Sequence, residues 1–77
     1  MSDSSIDVHV GQRVRAARLD KGWSIERVAG CLSLGMPEYE ALEHGTARFS
    51  AEQLLELANI FGVKISSFFG DQSSSEN

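Results

Sequence analysis

The chain has 77 residues, with seven Lys and Arg against eleven Asp and Glu, for a formal net charge of −4. That length allows one domain with one modest core, and the acidic balance argues against a sequence-independent nucleic-acid coat, which needs clustered cations on phosphates. One cysteine cannot form an internal disulfide, and with two distant histidines it shows no metal-ligand spacing.

The hydrophobic share of 42% marks a folding chain, so stability has to come from compact packing, from association, or from both. No apolar run approaches the roughly 18 residues of a membrane span, and the N-terminus lacks a signal-peptide pattern. A cytoplasmic protein is the expectation.

Residues 1–7 are rich in Ser and Asp with a single Ile6, and residues 71–77 hold no apolar side chain. Both ends are expected to be disordered, flanking a domain over 8–70. Val10, Val14 and Ala17 recur at helical spacing among Arg13, Arg15, Arg18 and Lys21, with Gly22 as a C-terminal cap. Ser24 then reads as an N-cap, Glu26 complements the dipole, and Trp23 can staple to Val28. Ile25, Val28, Ala29 and Leu32 form the buried stripe of this second helix.

Ser33-Leu34-Gly35 is long enough only for a tight turn. A third helix starts at Met36, with Gly35 as an acceptable N-cap, Pro37 tolerated in the first turn and Glu38 at a capping position. Tyr39 and Leu42 mark its inward face, and Gly45 ends it. Ser50-Ala51-Glu52-Gln53 is a capping box opening a fourth helix, whose stripe is Leu54, Leu57, Ala58 and Phe61, closed by Gly62. Val63, Ile65, Phe68 and Phe69 complete a short apolar segment, read as one last turn. No strand-like alternation competes, so the fold class is all-α with four or five helices.

Two short helices joined by a Gly-containing turn, Ile25–Leu32 and Met36–His44, describe a helix-turn-helix. With its flanks the pattern resembles the phage-repressor-like (Xre/Cro) helix-turn-helix family. VGQRVRAARLDKGWS, IERVAGCLSLGMPEYEALEHG and FSAEQLLELANIFGVKISSFF follow that family in order from about Val10 to Phe69. The resemblance implies a lambda-repressor-like domain whose third helix lies in the major groove of double-stranded DNA, in a homodimer spanning half-sites about 34–36 Å apart. It also implies a transcriptional regulator of bacterial or phage origin. Arg18 and Glu43 would form an internal salt bridge; the alternative is two independent exposed charges. Arg13, Thr46 and Arg48 match positions near the DNA backbone, or else belong to a solvated basic face.

The sequence departs from the family where bases would be read. Groove-reading positions usually carry polar side chains that match base edges, and here they hold Gly35, Met36, Pro37, Glu38 and Ala41. Ile25 stands where the family has a phosphate-gripping Gln. From Met36 to Glu56 five carboxylates (Glu38, Glu40, Glu43, Glu52, Glu56) face Arg48 alone. Two functions stay open: a DNA-binding regulator relying on backbone contacts and DNA shape, or an interaction module that kept the fold and binds another regulatory protein.

Cys31 is expected at the core or its boundary, with redox chemistry as the alternative. Phe68 and Phe69 cannot both easily face one small core, so one is a candidate dimer contact, with burial beneath the first helix as the alternative. There is no Gly-rich phosphate loop and no nucleophile with a nearby base, so no enzyme activity and no cofactor are expected.

Overall fold

In the computed structural model, residues 2–69 are described, with side chains from Ile6 onward. Met1, Gly70 and the tail expected over 71–77 lie outside them. The described residues form four α-helices, α1 (Ser2–Lys21), α2 (Ile25–Cys31), α3 (Met36–His44) and α4 (Ala51–Phe61), then a 3-10 turn over Ile65–Phe69. No strand occurs among the described residues.

Each helix begins and ends where local chemistry dictates. Ser24 Oγ accepts from Arg27 N at 3.1 Å, closing the first turn of α2. At α4 the capping box is complete: Ser50 Oγ accepts from Gln53 N at 3.0 Å, and Gln53 Oε1 accepts from Ser50 N at 2.9 Å. Gly22, Gly45 and Gly62 close α1, α3 and α4 in the left-handed region. The α2–α3 turn is different. Ser33 takes the left-handed conformation there, at φ 61°, while Gly35 is an extended N-cap that any residue could supply.

α1 reaches further back than the sequence suggests. Residues 2–7 were expected to be disordered, yet the helix starts at Ser2. Once a helix is nucleated, each added residue gains a hydrogen bond, so extension is easy when tertiary contacts hold the end. Asp7 supplies one by accepting from Arg48 Nε at 3.0 Å, and Val8 supplies another by lying against Gly45.

The core joins all elements: Val10 and Val14 of α1, Val28 and Ala29 of α2, Tyr39 and Leu42 of α3, four residues of α4, then Phe49 and Phe68. α1 packs on α3 and on the final turn, and α2 packs on α3. The third helix is therefore held on two sides. Trp23, half-buried, sets its ring edge-on to Phe61 at 5.8 Å and so links the start of α2 to the end of α4.

Two expectations are corrected by the packing. Cys31 is exposed, because it lies about a third of a turn from the centre of the Ile25–Val28–Ala29–Leu32 stripe. Phe68 turns fully into the core, which leaves Phe69 alone at the surface with 41% exposure. An interface role for Phe68 is thereby excluded in the folded domain.

Candidate nucleic-acid interface

The position of α3 is set by one buried polar cluster. Arg18 of α1 donates through Nε to Glu43 Oε2 at 2.7 Å and through Nη2 to Glu43 Oε1 at 3.2 Å. Its Nη1 reaches the Trp23 carbonyl at 2.9 Å, so one guanidinium ties α1 to α3 and to the loop before α2. Tyr39, one turn before Glu43 on α3, donates its hydroxyl to Glu43 Oε2 at 2.5 Å. Both charged residues are about 5% exposed. A two-pronged Arg–carboxylate contact fixes angle as well as distance, which is what registers one helix on another.

Hydrogen bonding to Glu43 holds the Arg18 pKa above its usual value despite burial. Burial foremost, and then the bond to Glu43, pushes the Tyr39 hydroxyl far above its ordinary range. The sign follows directly. The folded state keeps the Tyr39 proton, whereas the unfolded state releases it above pH 10, so stability falls as pH rises past that point. The loss is about 1.4 kcal/mol per pH unit. Tyr39 is the sole tyrosine, so its near-ultraviolet tyrosinate band reports this site alone. Tyrosinate should appear only together with loss of helical circular dichroism; tyrosinate forming near pH 10 in a still-helical protein would contradict the buried donor.

The exposed edge at the start of α3 is short and poor in groups that could pair with base edges. Met36 is 43% exposed, and Gly35, Pro37 and Glu38 are exposed with it. Glu38 is turned back on the chain: its Oε1 accepts from Gly35 N at 2.8 Å. The helix N-terminus thus has its own carboxylate where a phosphate would otherwise sit. Ala41 is half-buried, and its carbonyl accepts from Thr46 Oγ1 at 3.2 Å, so Thr46 closes the end of α3 while its side chain remains exposed. Ile25 packs against the core and offers no polar group at the start of α2.

The basic groups are largely engaged within the chain. Arg13 Nε donates to the Ser67 carbonyl at 3.3 Å, Arg27 stacks 3.8 Å over the Trp23 ring, and Arg48 pairs with Asp7. Arg15, Lys21 and Lys64 are exposed, and their side chains make no hydrogen bond or ion pair among the described residues. On the acidic side, Glu43 is neutralised by Arg18, which leaves Glu38, Glu40, Glu52 and Glu56 without a cation partner among the described residues. The α3–α4 face therefore carries unbalanced negative charge, and the free positive charge lies on α1 and near the final turn.

Sequence reasoning did not find Phe49, Asp7 or the Trp23–Arg27 stack. Phe49 had a readable signal: it precedes the Ser50 cap, and Leu54 lies four residues inside the helix, the spacing of a hydrophobic staple. Both are buried. No three His, Cys, Asp or Glu side chains gather as metal ligands among the described residues. No helix of the described chain is long and apolar enough to cross a membrane.

A short helix, a tight turn and a second helix braced from behind by α1 define a helix-turn-helix domain. Residues 9–66 match the family model described as a helix-turn-helix domain, and the chain belongs to that family. Among curated relatives it is similar to HTH-type transcriptional regulators, themselves described as uncharacterized, of Sinorhizobium medicae and Rhizobium meliloti. Each is 36% identical over 66 residues, covering 86% of this chain and 48% of the relative. A transcriptional regulator in the ATPase CF(0) region of Rhodospirillum rubrum is 35% identical, over 86% of this chain and 61% of that protein. The chain spans about half the length of the first of these relatives. No solved structure matches it significantly.

Proposed function

We propose that this chain is a DNA-binding transcriptional regulator of the Xre/Cro type that acts as a dimer and recognises DNA mainly through backbone contacts and shape. The observation that carries this reading is the α2–turn–α3 unit, registered on the Arg-bearing α1 by the Arg18–Glu43–Tyr39 cluster. That two-pronged contact fixes the angle at which α3 is presented. Backbone binding would draw on Arg13 and Arg15, with Lys21 and Lys64 at the margins. Base contacts from Gly35, Met36, Pro37, Glu38 and Ala41 would be few and mostly apolar, directed at thymine methyl groups. Cytoplasmic location follows from this function.

A second reading is favoured by the four carboxylates on α3 and α4 that have no cation partner among the described residues. Negative charge there opposes DNA approach and suits a basic surface on another regulatory protein, so the domain would act as an antagonist. Selection of randomised duplexes on the purified protein at low salt separates the two. Enrichment of a two-fold-related sequence supports DNA reading; no retention by folded protein supports the second.

The Glu38→Gln, Glu40→Gln double variant sharpens the test. Gln keeps an acceptor for Gly35 N while removing two negative charges from α3, so duplex affinity should rise several-fold at low salt and less at high salt. An unchanged affinity in a fluorescence anisotropy titration would mean that α3 does not face the phosphates.

A further inference from the structure

We propose that Arg27, laid over the Trp23 ring, is a preset phosphate contact through which α2 grips a phosphodiester of the DNA backbone. This rests on the DNA-binding reading above and adds to it a cation outside α1 and the final turn. Within the helix-turn-helix unit, Ile25–His44, Arg27 is the one Lys or Arg, against Glu26, Glu38, Glu40 and Glu43. Whatever fixed positive charge this unit itself brings to a duplex is carried by that residue.

The platform beneath it is held at both backbone and ring. The Trp23 carbonyl accepts from Arg18 Nη1 at 2.9 Å, and its ring stands edge-on to the buried Phe61 at 5.8 Å. The guanidinium carbon of Arg27 lies 3.8 Å from the ring centroid. A stack of this kind uses the flat of the guanidinium and leaves its N–H donors pointing outward in the plane. The Arg27 side chain makes no hydrogen bond or ion pair among the described residues, whereas Arg13, Arg18 and Arg48 spend donors on the Ser67 carbonyl, Glu43 and Asp7. Arg27 is thus held in place with its donors unused. Two parallel N–H groups match two phosphodiester oxygens, and a side chain already ordered loses less freedom on binding.

The surroundings admit a duplex. Arg27, Gly30 and Cys31 share the outer face of α2 at helical spacing, and all three are exposed. A methyl added at Gly30 would meet nothing within 4 Å, so that face is open. Glu26 lies about 100° round the helix from Arg27, and neighbours in sequence do not face each other. An anion can therefore reach α2 here without meeting a carboxylate of the same face, unlike on α3.

Anisotropy of a labelled mixed-sequence duplex, titrated with the full chain over a range of salt, tests this, because a backbone contact needs no operator. Arg27→Ala should bind about tenfold more weakly at low salt, and its plot of log affinity against log salt should be shallower by about 0.9. Helical circular dichroism should not change, since the side chain is exposed. Arg27→Lys keeps the charge and the slope but loses the flat stack and the fork, so its affinity should fall between the two. Trp23→Leu leaves every charge in place. It should weaken binding in the wild-type background but not in Arg27→Ala, because the ring acts through Arg27. Equal losses in both backgrounds, or an Arg27→Lys protein that binds as wild type does, would overturn the preset contact. An Arg27→Ala protein with unchanged affinity and slope would overturn it too, while leaving DNA binding through other cations standing. A wild type that retains no duplex would overturn both.

Discussion

Glu43→Gln should cost about 3–5 kcal/mol of folding stability, on the order of everything a domain of this size possesses. The carboxylate accepts from Arg18 Nε at 2.7 Å, Arg18 Nη2 at 3.2 Å and the Tyr39 hydroxyl at 2.5 Å. Glutamine keeps the volume and replaces one acceptor oxygen with a donor amide, so a donor now faces donors. The Arg18 charge, in a residue only 6% exposed, loses its counter-ion. Removing one partner of a buried pair leaves an uncompensated charge, which costs far more than the net contribution of the pair. Urea unfolding at neutral pH measures the loss; a change under about 1 kcal/mol would place the pair with ordinary surface bridges. The triple replacement Arg18→Met, Tyr39→Phe, Glu43→Leu removes every polar member together and should recover most of the stability. Duplex affinity of that triple variant would then separate register from stability, because the seam would be filled but no longer directional.

That cluster also marks the limit of what the sequence could reveal. Periodicity and capping chemistry located α2, α3 and α4 to within a residue, because their signals are local: Ser24 and Ser50 at the starts, Gly45 and Gly62 at the ends. The pairing of Arg18 with Glu43 has no local signal, since the residues lie 25 apart, and only family resemblance named them together. Asp7 is harder still. Its segment reads as polar and poor in apolar residues, and nothing in composition shows that Arg48, 41 residues away, will hold it. Long-range polar contacts escape pattern reading because one residue type serves equally in solvent and in a pair. The candidate site suffers the same way: the exposed positions of α3 were legible as a helix face. That Glu38 would turn back on Gly35 N, and that Thr46 would close α3, were decided by geometry.

Gly11→Ala should destabilise by about 3 kcal/mol although it adds a single methyl. A Cβ at Gly11 would overlap the Glu43 carbonyl and lie 2.7 Å from the Leu42 carbonyl, both backbone atoms of α3 that have no rotamer to yield. The same seam is tight from the other side, where a Cβ at Gly45 would stand 2.6 Å from Val8 Cα. Two glycines thus let α1 and α3 approach closely, and that approach keeps Glu43 within reach of Arg18. Alanine at position 11 has to push the helices apart, so its cost includes part of the buried pair as well as the overlap itself. Helix propensity alone would give the opposite sign, because Gly11 lies inside α1 and Ala is the better helix former. Gly30→Ala is the internal control. It too is helical, nothing lies within 4 Å of its added methyl, and it should stabilise by up to about 1 kcal/mol. Urea unfolding of the two variants side by side decides the matter. Opposite signs show that close approach governs position 11, whereas two gains would mean that α1 and α3 are not in backbone contact and that the seam positioning α3 is looser than 2.7 Å implies.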